Sequence, residues 1–202
     1  MNVPTLTTCD DSFGLRKLAR QDVPILSELK AETWQKTHSG TIANEDDQNR
    51  WFDSMQTDVN QPDKLFLTFV QREGDRDVAG FFKLANIDYI SRSADVGWDL
   101  VPEYRGMGLG KVLVQGGASF CFNFLNLRRL TAEILITNGA SQKCAQASGF
   151  VVEGLKREAV YVRKPYNRDN VTPASGSHYV HSQVWGLLRE EWKNPHHRNQ
   201  PR

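Results

Sequence analysis

The chain has 202 residues, with 25 Lys and Arg set against 24 Asp and Glu, for a formal net charge of +1. That balance gives no ground for a nucleic-acid or membrane-surface partner, and no apolar run reaches the roughly 20 residues that cross a bilayer. The three cysteines, Cys9, Cys121 and Cys144, make neither a disulfide framework nor a zinc pattern, so a reducing cytoplasm and no metal are expected.

Met1 to Ser12 reads as a loose leader without the charged and apolar regions of a signal peptide. Phe13 to Leu18 alternates as a first strand. Asp22 can cap the helix that follows, with Pro24 in its first turn. Ile25, Leu26, Leu29 and Trp34 supply the apolar face of that helix, and Ser39-Gly40 breaks it. A second helix begins near Thr41 to Asp46, with Trp51, Phe52 and Met55 on its buried side. Leu65 to Val70 is a rich strand signal. A hairpin turn at Glu73-Gly74-Asp75 leads into Val78 to Ala85.

Val96 to Val101 is the next strand, ended by Pro102, which lacks an N–H donor. Beyond it, Leu109, Val112, Leu113, Gly116, Phe120 and Phe124 recur at helical spacing, to a helix end near Asn126. Arg129 to Ile136 is a strand, Ser141 to Ser148 a short helix stopped by Gly149, and Phe150 to Val162 another strand. Arg163 to Ser177 is polar and reads as a long exposed loop, expected to contact the acceptor. Tyr179 to Leu188 is the last strand, and residues 193–202 form a polar tail. This order implies a single α/β domain over residues 13–192. Its sheet is mixed and mostly antiparallel, with helices on both faces.

Between the strand at Val101 and the helix lies Arg105-Gly106-Met107-Gly108-Leu109-Gly110-Lys111. A glycine-rich loop there aims backbone N–H groups at one spot beside a helix N-terminus, where a phosphate or pyrophosphate is favoured. A Walker loop needs Ser or Thr after Gly110-Lys111, and Val112 stands there. A dinucleotide fingerprint on Gly106 and Gly108 needs glycine at position 111. The pattern that fits is Arg-x-x-Gly-x-Gly on Arg105, Gly108 and Gly110. It resembles the coenzyme A pyrophosphate loop of the GNAT superfamily of N-acetyltransferases.

The resemblance runs from about Phe13 to Trp192. Asn138-Gly139-Ala140-Ser141 with Ala147-Ser148-Gly149-Phe150 resembles that family's Asn-x-x-Ser … Gly-Phe signature, and Glu153 to Arg157 its following strand. Leu187-Leu188 and Glu191-Trp192 resemble its C-terminal strand. Thr41-Ile42 with Trp51-Phe52 resembles the branch of ribosomal-protein N-terminal and amino-sugar-nucleotide acetyltransferases.

The resemblance implies the GNAT fold, with a splayed strand pair in the sheet, and acetyl-CoA as co-substrate. The backbones of Asp99, Leu100 and Val101 are implied to hold the thioester arm, and the Leu100 N–H to serve as an oxyanion donor. Gly106, Met107, Gly108, Leu109 and Gly110 cradle the pyrophosphate, with Arg105 and Lys111 adding charge. Asn138 contacts a pantetheine amide or caps its loop. Because an alkyl amine is protonated at neutral pH, a base must act. Glu133 matches the general-base glutamate of the ribosomal group, and Asp95 is the second candidate. The tyrosine that many members use as acid falls at Ala145 here and is missing. Ser141 is the nearest replacement, and it suits a helix N-cap equally. Cys144 fits a small core residue, and His181, where an aspartate is usual, a strand residue. The expected activity is acetyl transfer to a primary amine of an amino-sugar nucleotide, a protein N-terminus or a small molecule. The alternative is a non-catalytic coenzyme A sensor, and assembly as a homodimer stays open.

Overall fold

Alternating apolar residues set the sheet, and helices cover both of its sides. In the computed structural model, residues 6–7, 12–33, 45–54, 63–72, 77–162 and 178–192 are described. The elements are β1 (Leu6–Thr7), β2 (Phe13–Lys17), α1 (Val23–Thr33), α2 (Glu45–Ser54), β3 (Leu65–Gln71), β4 (Val78–Asp88) and β5 (Ser93–Leu100). After them come α3 (Leu109–Ser119), β6 (Arg129–Leu135), α4 (Gly139–Ala147), β7 (Val151–Val162) and β8 (His178–Leu188). The strands form one sheet in the order β1-β2-β3-β4-β5-β6-β8-β7.

β3 is buried on both faces from Leu65 to Val70, as a run that is apolar except for Thr68 requires, and Thr68 is satisfied by Asp22. Leu65, Leu67 and Phe69 point to the α3 side with Phe82, Leu84, Val96, Leu113 and Val114. Phe66 and Phe81 point the other way, against Val23, Leu26 and Leu29 of α1. Trp51 of α2 meets the Phe66 ring edge-on, centroids 5.0 Å apart. Asp22 fixes α1 to the sheet. Its buried carboxylate accepts from Arg16 Nη1 and Nη2 at 2.6 and 2.7 Å, from Thr68 Oγ1 at 2.9 Å and from the Ala19 N–H at 2.8 Å. A buried charge is tolerated when it is this fully bonded.

All neighbouring strands pair antiparallel except β5 and β6. Those two run parallel and pair only at Ser93/Arg129, Ala94/Leu130 and Asp95/Thr131. β5 continues to Leu100 and β6 to Leu135, so beyond Asp95 the pair splays and leaves a gap in the sheet.

Several boundaries differ from the expected ones. The stretch read as a loose leader contributes β1, whose Leu6 and Thr7 pair with Leu15 and Gly14. β4 runs on to Asp88 and β5 begins at Ser93, joined by a turn in which Asp88 Oδ1 accepts from the Ile90 and Ser91 N–H groups. The long helix keeps α geometry only to Ser119, and Phe120–Phe124 forms a π turn. Trp34, Ser39-Gly40, Thr41 to Asn44, Met55, Glu73 to Asp75, the 163–177 loop and the 193–202 tail lie outside the described residues.

Candidate active site

The glycine-rich loop closes back on its own strand. Pro102 starts a 3-10 turn to Tyr104, and Arg105 Nε donates to the Leu100 carbonyl at 3.0 Å. Gly106 and Gly108 have φ of +78° and +79°, a region open to glycine and strained for other residues. A Cβ at either would meet nothing within 4 Å, so backbone conformation, not space inside the protein, requires glycine there. Gly108 immediately precedes α3, and no side chain caps that helix. Its first N–H groups therefore have no side-chain acceptor, and the helix dipole lies behind them. Met107 and Lys111 beside them are exposed.

Gly110 has a different task. It is buried, and a Cβ there would lie 2.6 Å from Cys144 Sγ. It lets the start of α3 approach α4. Burial raises the Cys144 thiol, which suits packing and not a reactive thiolate.

The splayed gap follows from strand pairing. The Val101 N–H donates to the Ala79 carbonyl at 3.0 Å, and the same register pairs Asp99 with Phe81 and Gly97 with Lys83. Alternation along an antiparallel pair turns the backbone groups of Gly97, Asp99 and Val101 toward β4. Those of Val96, Trp98 and Leu100 face the gap. The expected trio of backbone partners is thus corrected: Leu100 is placed for a ligand in the gap, Asp99 and Val101 are not, and Trp98 joins it. Trp98 is also among the residues that line the adjoining cavity; its ring packs toward Phe150, and its buried Nε1 has no hydrogen-bond partner.

That cavity, of about 320 Å³, lies between α1, β4, β5 and β6 and reaches the N-terminus of α4. Asp95, Glu133, Asn138 and Ser141 all line it. Glu133 Oε1 accepts from Ser182 Oγ and Oε2 from Lys156 Nζ, each at 2.6 Å. Asp95 Oδ2 accepts from Asn86 Nδ2 at 2.8 Å. Asn138 Oδ1 accepts from the Ser141 N–H at 3.2 Å. Asn138 is therefore the cap of α4, the role that Ser141 was also suited to, and its amide nitrogen is left for a ligand. Gln142 Nε2 ties this corner to the end of β6, donating to the Leu135 and Ile136 carbonyls at 3.0 Å.

The model of the family described as "Acetyltransferase (GNAT) domain" matches residues 13–151. The chain belongs to the GNAT acetyltransferase family. Among its relatives, the spermidine N(1)-acetyltransferase of Vibrio cholerae is 28% identical over 98 residues, 48% of this chain and 57% of that one. The putative ribosomal N-acetyltransferase YdaF of Bacillus subtilis is 27% identical over 120 residues, 59% of this chain and 58% of that one. The chain thus spans somewhat over half the length of these curated relatives. In fold, it superposes on the crystal structure of the V. cholerae spermidine N-acetyltransferase in complex with CoA and spermine with a TM-score of 0.77. The two are 18% identical, and the match covers 90% of this chain and 98% of that one.

Within this GNAT domain the expected site residues divide between the two sides of the gap. Arg105 to Lys111 sit at the α3 end, whereas Asp95 and Glu133 project to the α1 side, because Leu130, Ala132 and Ile134 take the α3 side. His181 stays out of the cavity lining, its Nδ1 accepting from the Glu158 N–H at 2.8 Å. Ala145 is fully buried in the core. Sequence reasoning missed Lys30, Lys83, Gly97 and Trp98, which also line the cavity. The Lys30 ammonium is pushed down to about 8, first by burial and then by the charge of Lys83, against an opposing pull from Asp99. Its Nζ lies 4.6 Å from the Trp51 ring centroid and 5.3 Å from that of Phe66. No local pattern marks these residues, since they come from three separate elements. Among the described residues no cluster of His, Cys, Asp and Glu could hold a metal, and no helix is long and apolar enough to cross a membrane.

Proposed function

We propose that this protein is an acetyl-CoA-dependent N-acetyltransferase that passes the acetyl group directly to a primary amine. The observation that carries this is the splayed β5–β6 pair, with an uncapped helix and glycine loop at one end and Glu133 in the cavity at the other. Acetyl-CoA supplies the activated acyl group. The loop N–H groups from Gly106 to Gly110 would hold its pyrophosphate, and Lys111 would add charge. Trp98, Leu100 and the Asn138 amide nitrogen would satisfy its arm. Arg105 secures the loop through Leu100.

Glu133 is the base. Ser182 and Lys156 hold its carboxylate in one orientation. It takes a proton from the bound ammonium, directly or through water, and the neutral amine so formed attacks the thioester carbonyl. The C–N bond forms, the C–S bond breaks, and the nitrogen's remaining surplus proton passes to the departing sulfur or to water. The Leu100 N–H, facing the gap, stabilises the charge on the carbonyl oxygen. Ser141 can return a proton to the departing sulfur. Asp95, held by Asn86, lines the cavity from an exposed position and serves in orienting the acceptor. The acceptor belongs to one of three classes: an amino-sugar nucleotide, a protein N-terminus or a small amine. The unpaired Cys121 and Cys144 suit a cytoplasmic protein.

A coenzyme A binder without turnover is favoured by one observation, the absence of a hydroxyl at the enclosed Ala145. The test is mass spectrometry of amine and peptide panels incubated with the protein and acetyl-CoA. An acetylated product with release of free thiol is expected. Tight acetyl-CoA binding with no product from any amine would favour the sensor.

A further inference from the structure

On the α1 side of the sheet, three residues stand in a row across neighbouring strands. Lys83 of β4 pairs with Gly97 of β5. Asp95 of β5 pairs with Thr131 of β6, and two residues further along each strand Gly97 and Glu133 stand on opposite banks of the gap that opens there. All three line the cavity. The middle position has no side chain, and a Cβ built there would meet nothing within 4 Å. Glycine weakens a strand interior, and here it leaves a bare floor between a lysine on one side and the base on the other.

The charges around this floor are unequal. Glu133 is held by Lys156 and Ser182, and Asp95 by Asn86. Neither Lys30 nor Lys83 takes part in the ion pairs among the described residues. Lys30 reaches down from α1 between Trp51 and Phe66, close enough to Lys83 to feel its charge. Asp99 draws on Lys30 in the opposite sense. Two ammonium groups brought together in a partly enclosed cavity repel each other, and an anion bound between them relieves that repulsion. A polycation would meet the same two charges unfavourably.

Resting on the assignment of this cavity to the amine acceptor, we infer that Lys30 and Lys83 form an anion subsite, so that the acceptor is a compact amine carrying a carboxylate or phosphate. The anion sits on the two lysines, the body of the acceptor crosses Gly97, and the amine reaches Glu133. The acceptor therefore has to reach from the two lysines across Gly97 and the opening between β5 and β6 to Glu133.

The experiment compares matched amines of one chain length, ending in a carboxylate, a phosphate, a methyl group or a second amine. Turnover is measured with acetyl-CoA, and binding is measured by calorimetry on the protein loaded with coenzyme A. The carboxylate or the phosphate amine is expected to bind about tenfold to a hundredfold more tightly than the methyl and diamine analogues, the usual worth of a charge-assisted contact. Whichever of the two wins identifies the anion. Lys83→Met should bring the ratio of anionic to neutral binding close to one. Gly97→Val, placed in open space on a strand, should fold, keep acetyl-CoA binding and lose the anionic amine. Turnover of the diamine or the methyl amine at least as well as the anionic ones would overturn the subsite and leave acetyl transfer standing. Lys83-dependent binding of the anionic amines without turnover of any amine would uphold the subsite and remove the transferase assignment instead.

Discussion

The two sides of the β5–β6 gap are built from different materials. On the α3 side the site is backbone: two left-handed glycines, an uncapped helix start, and the Trp98 and Leu100 groups that β6 leaves unpaired. On the α1 side it is side chain: Lys30 from a helix, Lys83 and Glu133 from two strands, and a glycine that makes room. A backbone site can bind a group that stays the same, whatever the side chains around it. A side-chain site can be retuned one residue at a time, and such a site sets which acceptor is taken.

The sharpest break falls on the side-chain half. Glu133→Gln keeps shape and the bond from Ser182 but removes the basic oxygen. Turnover should fall about a hundredfold to ten-thousandfold, with acetyl-CoA affinity unchanged and partial recovery at high pH, where more of the amine is already neutral. Near-normal turnover across pH would move the base elsewhere, Asp95 first. On the backbone half, Gly108→Val forces a β-branched residue into φ +79°. The strain should weaken acetyl-CoA binding about tenfold to a hundredfold while the protein stays folded. Calorimetry showing native affinity would remove the loop from the cofactor site.

Gly110 separates two meanings of a motif glycine. Gly110→Ala drives a methyl group into Cys144 Sγ and should cost about 1–3 kcal/mol of stability, seen in denaturant unfolding. Because the Cys144 Cβ lies 4.0 Å from the same point, Cys144→Ala in the same chain should return most of the loss. No rescue would mean that Gly110 is needed for the ligand and not for packing. Ser141→Ala is a smaller test. Asn138 caps α4, so the hydroxyl is free of that duty and its loss should lower turnover by less than about tenfold. A larger fall, with unchanged melting temperature, would make Ser141 the proton donor to the sulfur.

Much of this was legible in the chain because it is local. Pro102, the glycines at 106 and 108 and the apolar spacing from Leu109 mark a strand, a loop and a helix within one short window. The same holds for Asn138 to Phe150 as a capped short helix. What stayed hidden depends on pairing across the sheet. The side of β5 that meets the gap follows from the register with β4, and that register moved the ligand-facing backbone from Asp99 and Val101 to Trp98. Lys30, Lys83 and Gly97 have no shared pattern in sequence, since they meet only through the pairing of β4 with β5 beneath α1. β1 escaped notice because two residues are too short for any periodicity. The π turn at Phe120–Phe124 keeps the apolar spacing of the helix before it.

Lys30 offers the finest distinction between the two halves, because burial brings the titration of this acceptor-side cation toward neutral pH. Its ammonium is held at about 8 instead of 10.5 by burial and by Lys83. It is surrounded by Trp51 of α2, Phe66 of β3, Lys83 of β4 and Asp99 of β5, with Asp95, Glu133 and Lys156 on the farther cavity wall. Below about pH 8 the ammonium is charged and can hold an anion; above it the charge is lost. A short alkyl carboxylate, which keeps its own charge over this range, should bind roughly threefold to tenfold more weakly at pH 9 than at pH 7. Lys30→Arg, charged throughout, should flatten that profile, and acetyl-CoA affinity should not follow it. Stability moves in the opposite sense. Between about pH 8 and 10.5 the unfolded chain holds a proton at Lys30 that the folded chain has released. Native stability therefore gains with rising pH in that window, relative to Lys30→Met. Identical pH profiles of melting temperature for the native chain and Lys30→Met would mean that Lys30 is solvated like any surface lysine, and the acceptor side would then differ from the cofactor side in its residues but not in its response to pH.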